Sequence, residues 1–140
     1  MSLLDAFDIS ASGLNVQKTR IKVAASNLAN INTTRSADGK GPYRRKEVIV
    51  EAKPVSFDNT LKNYISTAQV KEIQEDPSPP RMVYDPTHPD ANANGYVAMP
   101  NISMVKEMVD MLSASRAYQA NLNAMKTAKD MAVETLKILE

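Results

Sequence analysis

Apolar side chains recur every seven residues at both ends of the chain. In the first segment Phe7, Leu14, Ile21 and Leu28 form one line, and Leu3, Ser10, Gln17, Ala24 and Ile31 form the complementary one. Together they make a seam of period 3.5 with polar breaks at Ser10 and Gln17. In the last segment Met104, Met111, Tyr118, Met125, Ala132 and Leu139 alternate with Met108, Ser115, Leu122, Lys129 and Leu136, and Val105, Leu112 and Val133 widen the stripe. The pattern predicts a helix within residues 1–34 and a second over 103–139. The second would be about 55 Å long at the helical rise, with Asn101 or Ser103 as its N-cap. Gly13 costs about 1 kcal/mol relative to Ala inside a helix, so it should serve close packing or a bend. Asn27, Asn30, Asn32, Thr33 and Thr34 compete for backbone hydrogen bonds and should end the first helix.

The middle obeys a different rule. All eight Pro fall between Pro42 and Pro100. YRRKEVIVEA (43–52), AQVKEIQE (68–75) and PRMVYD (80–85) read as strands, separated by the turn-forming runs 38–42, 76–80 and 85–95. The expected fold is mainly α with a small β insert, in three regions: a helix in 1–34, a β-hairpin-rich segment over 35–100, and a helix in 101–140. A helix as long as the last cannot be hidden in a globule of this size. It needs a partner, either the first helix of the same chain or helices of other chains. Its opposite face carries Lys106, Glu107, Asp110, Arg116, Lys126, Asp130, Glu134 and Lys137. Those mixed signs suit water or other proteins, whereas an interfacial membrane helix would be richer in Lys and Arg.

Composition narrows the function classes. The 17 basic and 16 acidic residues nearly cancel, which argues against an electrostatic nucleic-acid binder. With no Cys in the chain, disulfides, thiolate metal sites and Cys nucleophiles are excluded. The opening MSLLDAFD carries two acids and no base, and no apolar stretch of leader type follows, so no Sec-type signal is expected. No run approaches the length of a transmembrane helix. The one cluster with metal-ligating chemistry is Asp85, His88 and Asp90. A catalytic metal wants about three preoriented ligands. Pro86 and Pro89 fix the chain between these side chains and should make them diverge, so the stretch 84–101 reads as a stiff bridge into the last helix. Arg44, Arg45 and Lys46 could touch phosphate, but at the head of a neutral strand they are more often solvated or paired with acids. No phosphate-binding loop, nucleophile elbow or HExxH is present, and the reading is that this is not an enzyme and uses no cofactor.

NLANINTT (27–34), YRRKEV (43–48), YDPTHPDANANGYVAMPN (84–101) and EMVDMLSASRAYQANLNAMKTAKDM (107–131) together closely resemble the bacterial flagellar basal-body rod proteins, most of all the proximal rod component. The resemblance covers nearly the whole chain and is least over 53–80. It implies a structural subunit that leaves the cytoplasm unfolded through the flagellar type III export apparatus, without leader cleavage. It implies polymerisation with copies of itself and other rod proteins into a hollow drive shaft, which crosses the periplasm and carries torque from motor to hook. The MS-ring and its junction protein would lie at the base, with no nucleic acid and no direct membrane insertion. The terminal helices would form an inter-subunit coiled coil around the export channel.

The assembly interface expected on this reading comprises Leu3, Phe7, Leu14, Ile21, Leu28, Asn27 and Asn30 from the first helix. From the second it takes Met104, Met108, Met111, Tyr118, Leu122, Met125 and Leu136. A lone subunit would then have loosely held ends that order on incorporation, because ordering each residue costs on the order of 1–2 kcal/mol. Phe57 and Leu61 fit the Phe-xxx-apolar form of an export signal in this family, Phe7 and Ala11 less well, and simple packing explains such spacing equally. The competing reading is a soluble helical adaptor or export chaperone that holds a client on the same Met-rich face.

Overall fold

The computed structural model describes residues 3–36, 39, 41–54 and 66–138. The proline-free ends are helical as the seven-residue pattern predicts. Helix α1 spans Leu3–Ala29 and helix α2 spans Met104–Ile138. Ser103 caps α2: its Oγ accepts the Lys106 N–H at 3.5 Å, in the position of a residue just ahead of the first turn. The Asn-rich end of α1 closes as its composition demands. Asn30 donates from Nδ2 to the Ser26 carbonyl at 2.9 Å and accepts from Thr33 Oγ1 at 3.1 Å.

Between the helices lie two antiparallel hairpins. Strand β1 (Lys46–Pro54) pairs with β2 (Ser66–Glu75), and a bulge between Ile49 and Val50 leaves Lys71 without an opposite residue. Strand β3 (Arg81–Tyr84) pairs with β4 (Tyr96–Met99). The fold is therefore mainly α with a small β insert. Residues 85–95 close the second hairpin as the turn-forming run predicts, so the bridge to α2 is much shorter than the stretch 84–101. The chain turns because Asn92 Oδ1 accepts from both Asn94 N–H (2.9 Å) and Tyr96 N–H (3.0 Å), and because Gly95 sits at φ 79°. A side chain there would meet Tyr84 Cε2 at 2.9 Å. Only the short run Pro100–Ser103 joins this hairpin to α2.

The two helices pack against each other within the chain. Asn27 meets Glu107, and Gly13 meets Asn121, so they run antiparallel. Of the two partners open to the long helix, its own chain supplies one. In this alignment Leu3 lies level with Met131, and residues 132–138 of α2 run on past the start of α1. The β1–β2 ribbon leans on α1, while β3–β4 lies against no other helix or strand among the described residues.

The core is small in both senses. Among the described residues its buried apolar side chains are Val16 and Ala24 of α1, Ala114 and Ala128 of α2, Val97 of β4 and Ile102 just ahead of α2. On α2 the inward line is Glu107, Ala114, Asn121 and Ala128, one position away from the predicted Met108, Ser115, Leu122 and Lys129 line. The helices approach over short side chains, and much of the bulk faces outward. Val105, Met108, Val109 and Leu112 are more than half exposed, Val105 at 72%.

Candidate functional site

Two features of this architecture carry chemistry. One is a buried polar node where α1 ends, α2 begins and β1 starts. The other is the outward apolar stripe on the first turns of α2.

The node is built around Asn27, which is 1% exposed. Its side-chain amide behaves as a short piece of strand. Oδ1 accepts the Lys46 N–H at 2.9 Å and Nδ2 donates to the Lys46 carbonyl at 2.9 Å, so the end of α1 pairs with the first residue of β1. Nδ2 also donates to Glu107 Oε2 at 3.0 Å, and Tyr43 OH donates to Oδ1 at 3.1 Å. Glu107, itself 1% exposed, takes a second hydrogen bond from Arg45 Nε at 2.6 Å. Arg45 completes the group with an ion pair to Glu47, and Asp110 stands 3.8 Å from its Nη2. Burial works to lower the Arg45 pKa, but the hydrogen bonds to Glu47 and Glu107 outweigh it and hold the guanidinium above its ordinary value. No buried side-chain polar atom among the described residues lacks a partner. An open cleft of about 250 Å³ borders the node, with Arg20, Glu47 and Asp110 on its rim. Arg45, Glu47, Glu107 and Asp110 in its wall already face one another, so these groups offer a ligand little unpaired charge.

Sequence patterning put Glu107 on the water-facing side of α2, and the structure corrects this. It turns inward because Arg45 and Asn27 satisfy both of its oxygens, which is the condition for burying a carboxylate. The signal was present: Glu107 is the single charge on a line otherwise made of Ala114, Asn121 and Ala128. Arg45 pairs with acids, as the head-of-strand reading expects.

Asp85, His88 and Asp90 each serve the backbone of their own loop or a neighbouring segment. Asp85 Oδ1 accepts Thr87 N–H (3.1 Å) and Thr87 Oγ1 (2.7 Å), which lowers its pKa. His88 Nδ1 accepts the Asp90 N–H at 3.0 Å. Asp90 accepts Thr34 Oγ1 at 2.7 Å and Arg35 Nε at 2.6 Å, and these bonds hold its carboxyl below the usual range. Among the described residues no group of three or more His, Asp or Glu converges as a metal site requires.

The predicted interface residues divide by face. Phe7, Leu14, Ile21 and Leu28 on α1, and Met111, Tyr118, Leu122 and Met125 on α2, are half-buried. Asn27 is buried in the node and Asn30 closes α1. Met104, Met108 and Leu136 point to solvent. Leu3 opens α1, and its side chain, like Phe57 and Leu61, lies outside the described residues. The seven-residue pattern did not single out Val109, which extends the stripe of Met104, Val105, Met108 and Leu112 on the exposed side. Among the described residues no helix is long and apolar enough to cross a membrane.

Comparison with known proteins bears on both features. Residues 7–35 match the family described as Flagella basal body rod protein, and residues 93–138 match Flagellar basal body rod FlgEFG protein C-terminal. The first span holds most of α1 with Asn27 of the node, and the second holds α2 with Glu107 and Asp110. The chain is 43% identical to the flagellar basal-body rod protein FlgC of Bacillus subtilis, with 99% of each chain covered. It is 44% identical to the FlgC of Salmonella typhimurium, over 99% of this chain and 98% of the relative. It is 38% identical to the FlgC of Borreliella burgdorferi, over 100% and 99%.

Proposed function

The chain belongs to the FlgC family of flagellar basal-body rod proteins and is a structural subunit of that rod, and from this premise we propose how its geometry builds the shaft. It assembles with other basal-body rod components. The helix hairpin is the polymerising part, and the β-hairpins ride on one end of it. The observation that carries this reading is the division of side chains by size. Short residues hold α1 to α2, and Met104, Val105, Met108, Val109 and Leu112 are left outside, each close to half exposed or more. Fully burying such a side chain contributes roughly 1.5–3 kcal/mol. Five of them, already partly covered, offer on the order of 5 kcal/mol per subunit to a neighbour. That gain favours incorporation over the free subunit and offsets the cost of ordering the chain ends.

In the finer picture the hairpins of successive copies and of other rod proteins form an inner coiled-coil layer. That layer encloses the export channel of a hollow proximal rod and transmits torque along α2, and its base meets the MS-ring and its junction protein. The subunit reaches this place by type III export, unfolded and without a cleaved leader. Its small core suits passage through a narrow channel, and Phe57 and Leu61 are the candidate export signal. A soluble adaptor or chaperone is not favoured, because full-length relatives carry the name of rod proteins. A protein in this role needs no enzyme chemistry.

The test is complementation of a strain lacking this subunit. Met108→Asp with Leu112→Asp should abolish rod incorporation and swimming while leaving the purified chain folded, since both residues face water in the free subunit. Lys126→Glu, on an exposed position away from the stripe, should assemble. Normal swimming with the paired aspartates would remove the stripe from the interface. Secretion of Phe57→Ala at the normal rate would remove the export signal.

A further inference from the structure

The seam between the helices does not by itself fix how far one helix lies along the other. Ser10, Gly13 and Ala24 on the first helix and Ala117, Ala114 and Ser103 on or beside the second are spaced so that a shift of seven residues again sets small residues against small ones. In the observed alignment Gly13 faces Asn121 and Asn27 faces Glu107. If α2 moved seven residues toward the start of α1, about 10 Å, Gly13 would face Ala114 and Ala24 would face Ser103. Both pairs are small enough to pack. The charge would also find a partner, because Glu107 would come level with Arg20, which already borders the same cleft. Packing thus separates the two alignments weakly, and a polar group must choose between them.

We infer that Arg45 is the residue that makes the choice. Asn27 ties β1 to α1 through both hydrogen bonds to the Lys46 backbone, and this places the Arg45 guanidinium at one level of the hairpin. Glu107 can meet Arg45 only in the observed register. Asn27 Nδ2 adds one neutral hydrogen bond to the same carboxylate, and outside the node the link between these halves is the Asp90 contact to Thr34 and Arg35. It is much the weaker, with Arg35 77% exposed. Burial of a polar group that specifies register is the best-attested use of such groups. Here it is supplied from outside the helix pair, by the residue just ahead of β1. Arg45 is therefore a positioning residue for the polymerising hairpin: it sets which level of the outward stripe is presented at which height.

The chain has no Cys, so introduced pairs report alignment directly. Gln17→Cys with Ala117→Cys lies level in the observed register, and Ser10→Cys with Ala117→Cys lies level in the displaced one. Purified full-length chains would be oxidised at low concentration, and intramolecular bridges scored by gel mobility and mass. With Arg45 present, only the 17–117 bridge should form. With Arg45→Gln, and with Arg45→Leu plus Glu107→Leu, which removes both charges together, the 10–117 bridge should rise from background. In the Arg45→Gln background, adding Arg20→Gln should suppress it again, a reversal that a merely stabilising role for Arg45 does not produce. If the 10–117 bridge stays at background in both variants while helical circular dichroism is retained, the inference is overturned. Loss of the helical signal in both would overturn it too, since Arg45 would then hold the fold and not its register.

Discussion

Gly13→Ala offers the sharpest quantitative test of the hairpin. In an isolated helix the change should stabilise by about 0.8–1 kcal/mol. In this molecule a Cβ at position 13 would lie 2.7 Å from Asn121 Nδ2, 3.1 Å from its Cγ and 3.3 Å from its Oδ1. The whole amide is in the way. Asn121 is half-buried between the helices, and turning its amide about the last bond leaves Cγ in the way, so the side chain or the helix must shift. Such overpacking costs about 1–3 kcal/mol. The clash should therefore exceed the propensity gain and leave Gly13→Ala destabilised by about 1 kcal/mol, lowering Tm by roughly 2–4 °C. Adding Asn121→Ala removes the obstacle and gains a little more propensity. The double variant should exceed the parent by about 1 kcal/mol, with a coupling of about 1–3 kcal/mol across the cycle. Urea titrations followed at 222 nm, at two protein concentrations, give all four corners, and the coupling should not depend on concentration because the contact is within one chain. A stabilised Gly13→Ala single variant, or zero coupling, would refute the close approach.

Three further outcomes follow from the node and the second hairpin. Glu107→Ala leaves Arg45 buried beside only Glu47 and Asp110, and should cost about 3 kcal/mol in the same titration, with Glu107→Gln losing clearly less. Gly95→Ala meets a φ of 79° as well as the Tyr84 ring, and should destabilise by at least about 1 kcal/mol, with weakened near-ultraviolet dichroism from the Tyr84–Tyr96 pair. The folded Asp90 pKa is depressed by Thr34 and then Arg35, so its contribution is present above the ordinary carboxylate value near pH 4 and is lost as pH falls through the folded value. Asp90→Asn should accordingly be less stable than the parent at neutral pH, and the two curves should converge in acid.

Much of the architecture was readable because proline and glycine partition the chain so sharply. Both helices and three of the four strands fall where composition places them. Strand β4 escaped because Tyr96–Met99 is four residues long and follows an Asn- and Gly-rich turn. Its pairing with β3 is fixed by hydrogen bonds across eleven intervening residues, beyond the reach of local propensity. The orientation of α2 escaped for a different reason. Periodicity finds the bulkiest stripe and assigns all of it to the nearest partner, but here Met111, Tyr118, Leu122 and Met125 are half-buried while Met104, Met108 and Leu136 are exposed. The contact face is spelled in Ala114, Asn121 and Ala128, residues with little weight on any hydrophobicity scale. Burial of Glu107 depends on Arg45, sixty-two positions earlier, a pairing that no window along the chain can contain.

A subunit whose own helices meet over alanine and glycine keeps two kinds of information apart. The letters that make it fold are not the letters that make it adhere. Selection can rewrite Val105, Met108, Val109 or Leu112 to suit a new neighbour without disturbing the hairpin beneath. From one such scaffold a series of related components can diverge, each seated at its own station.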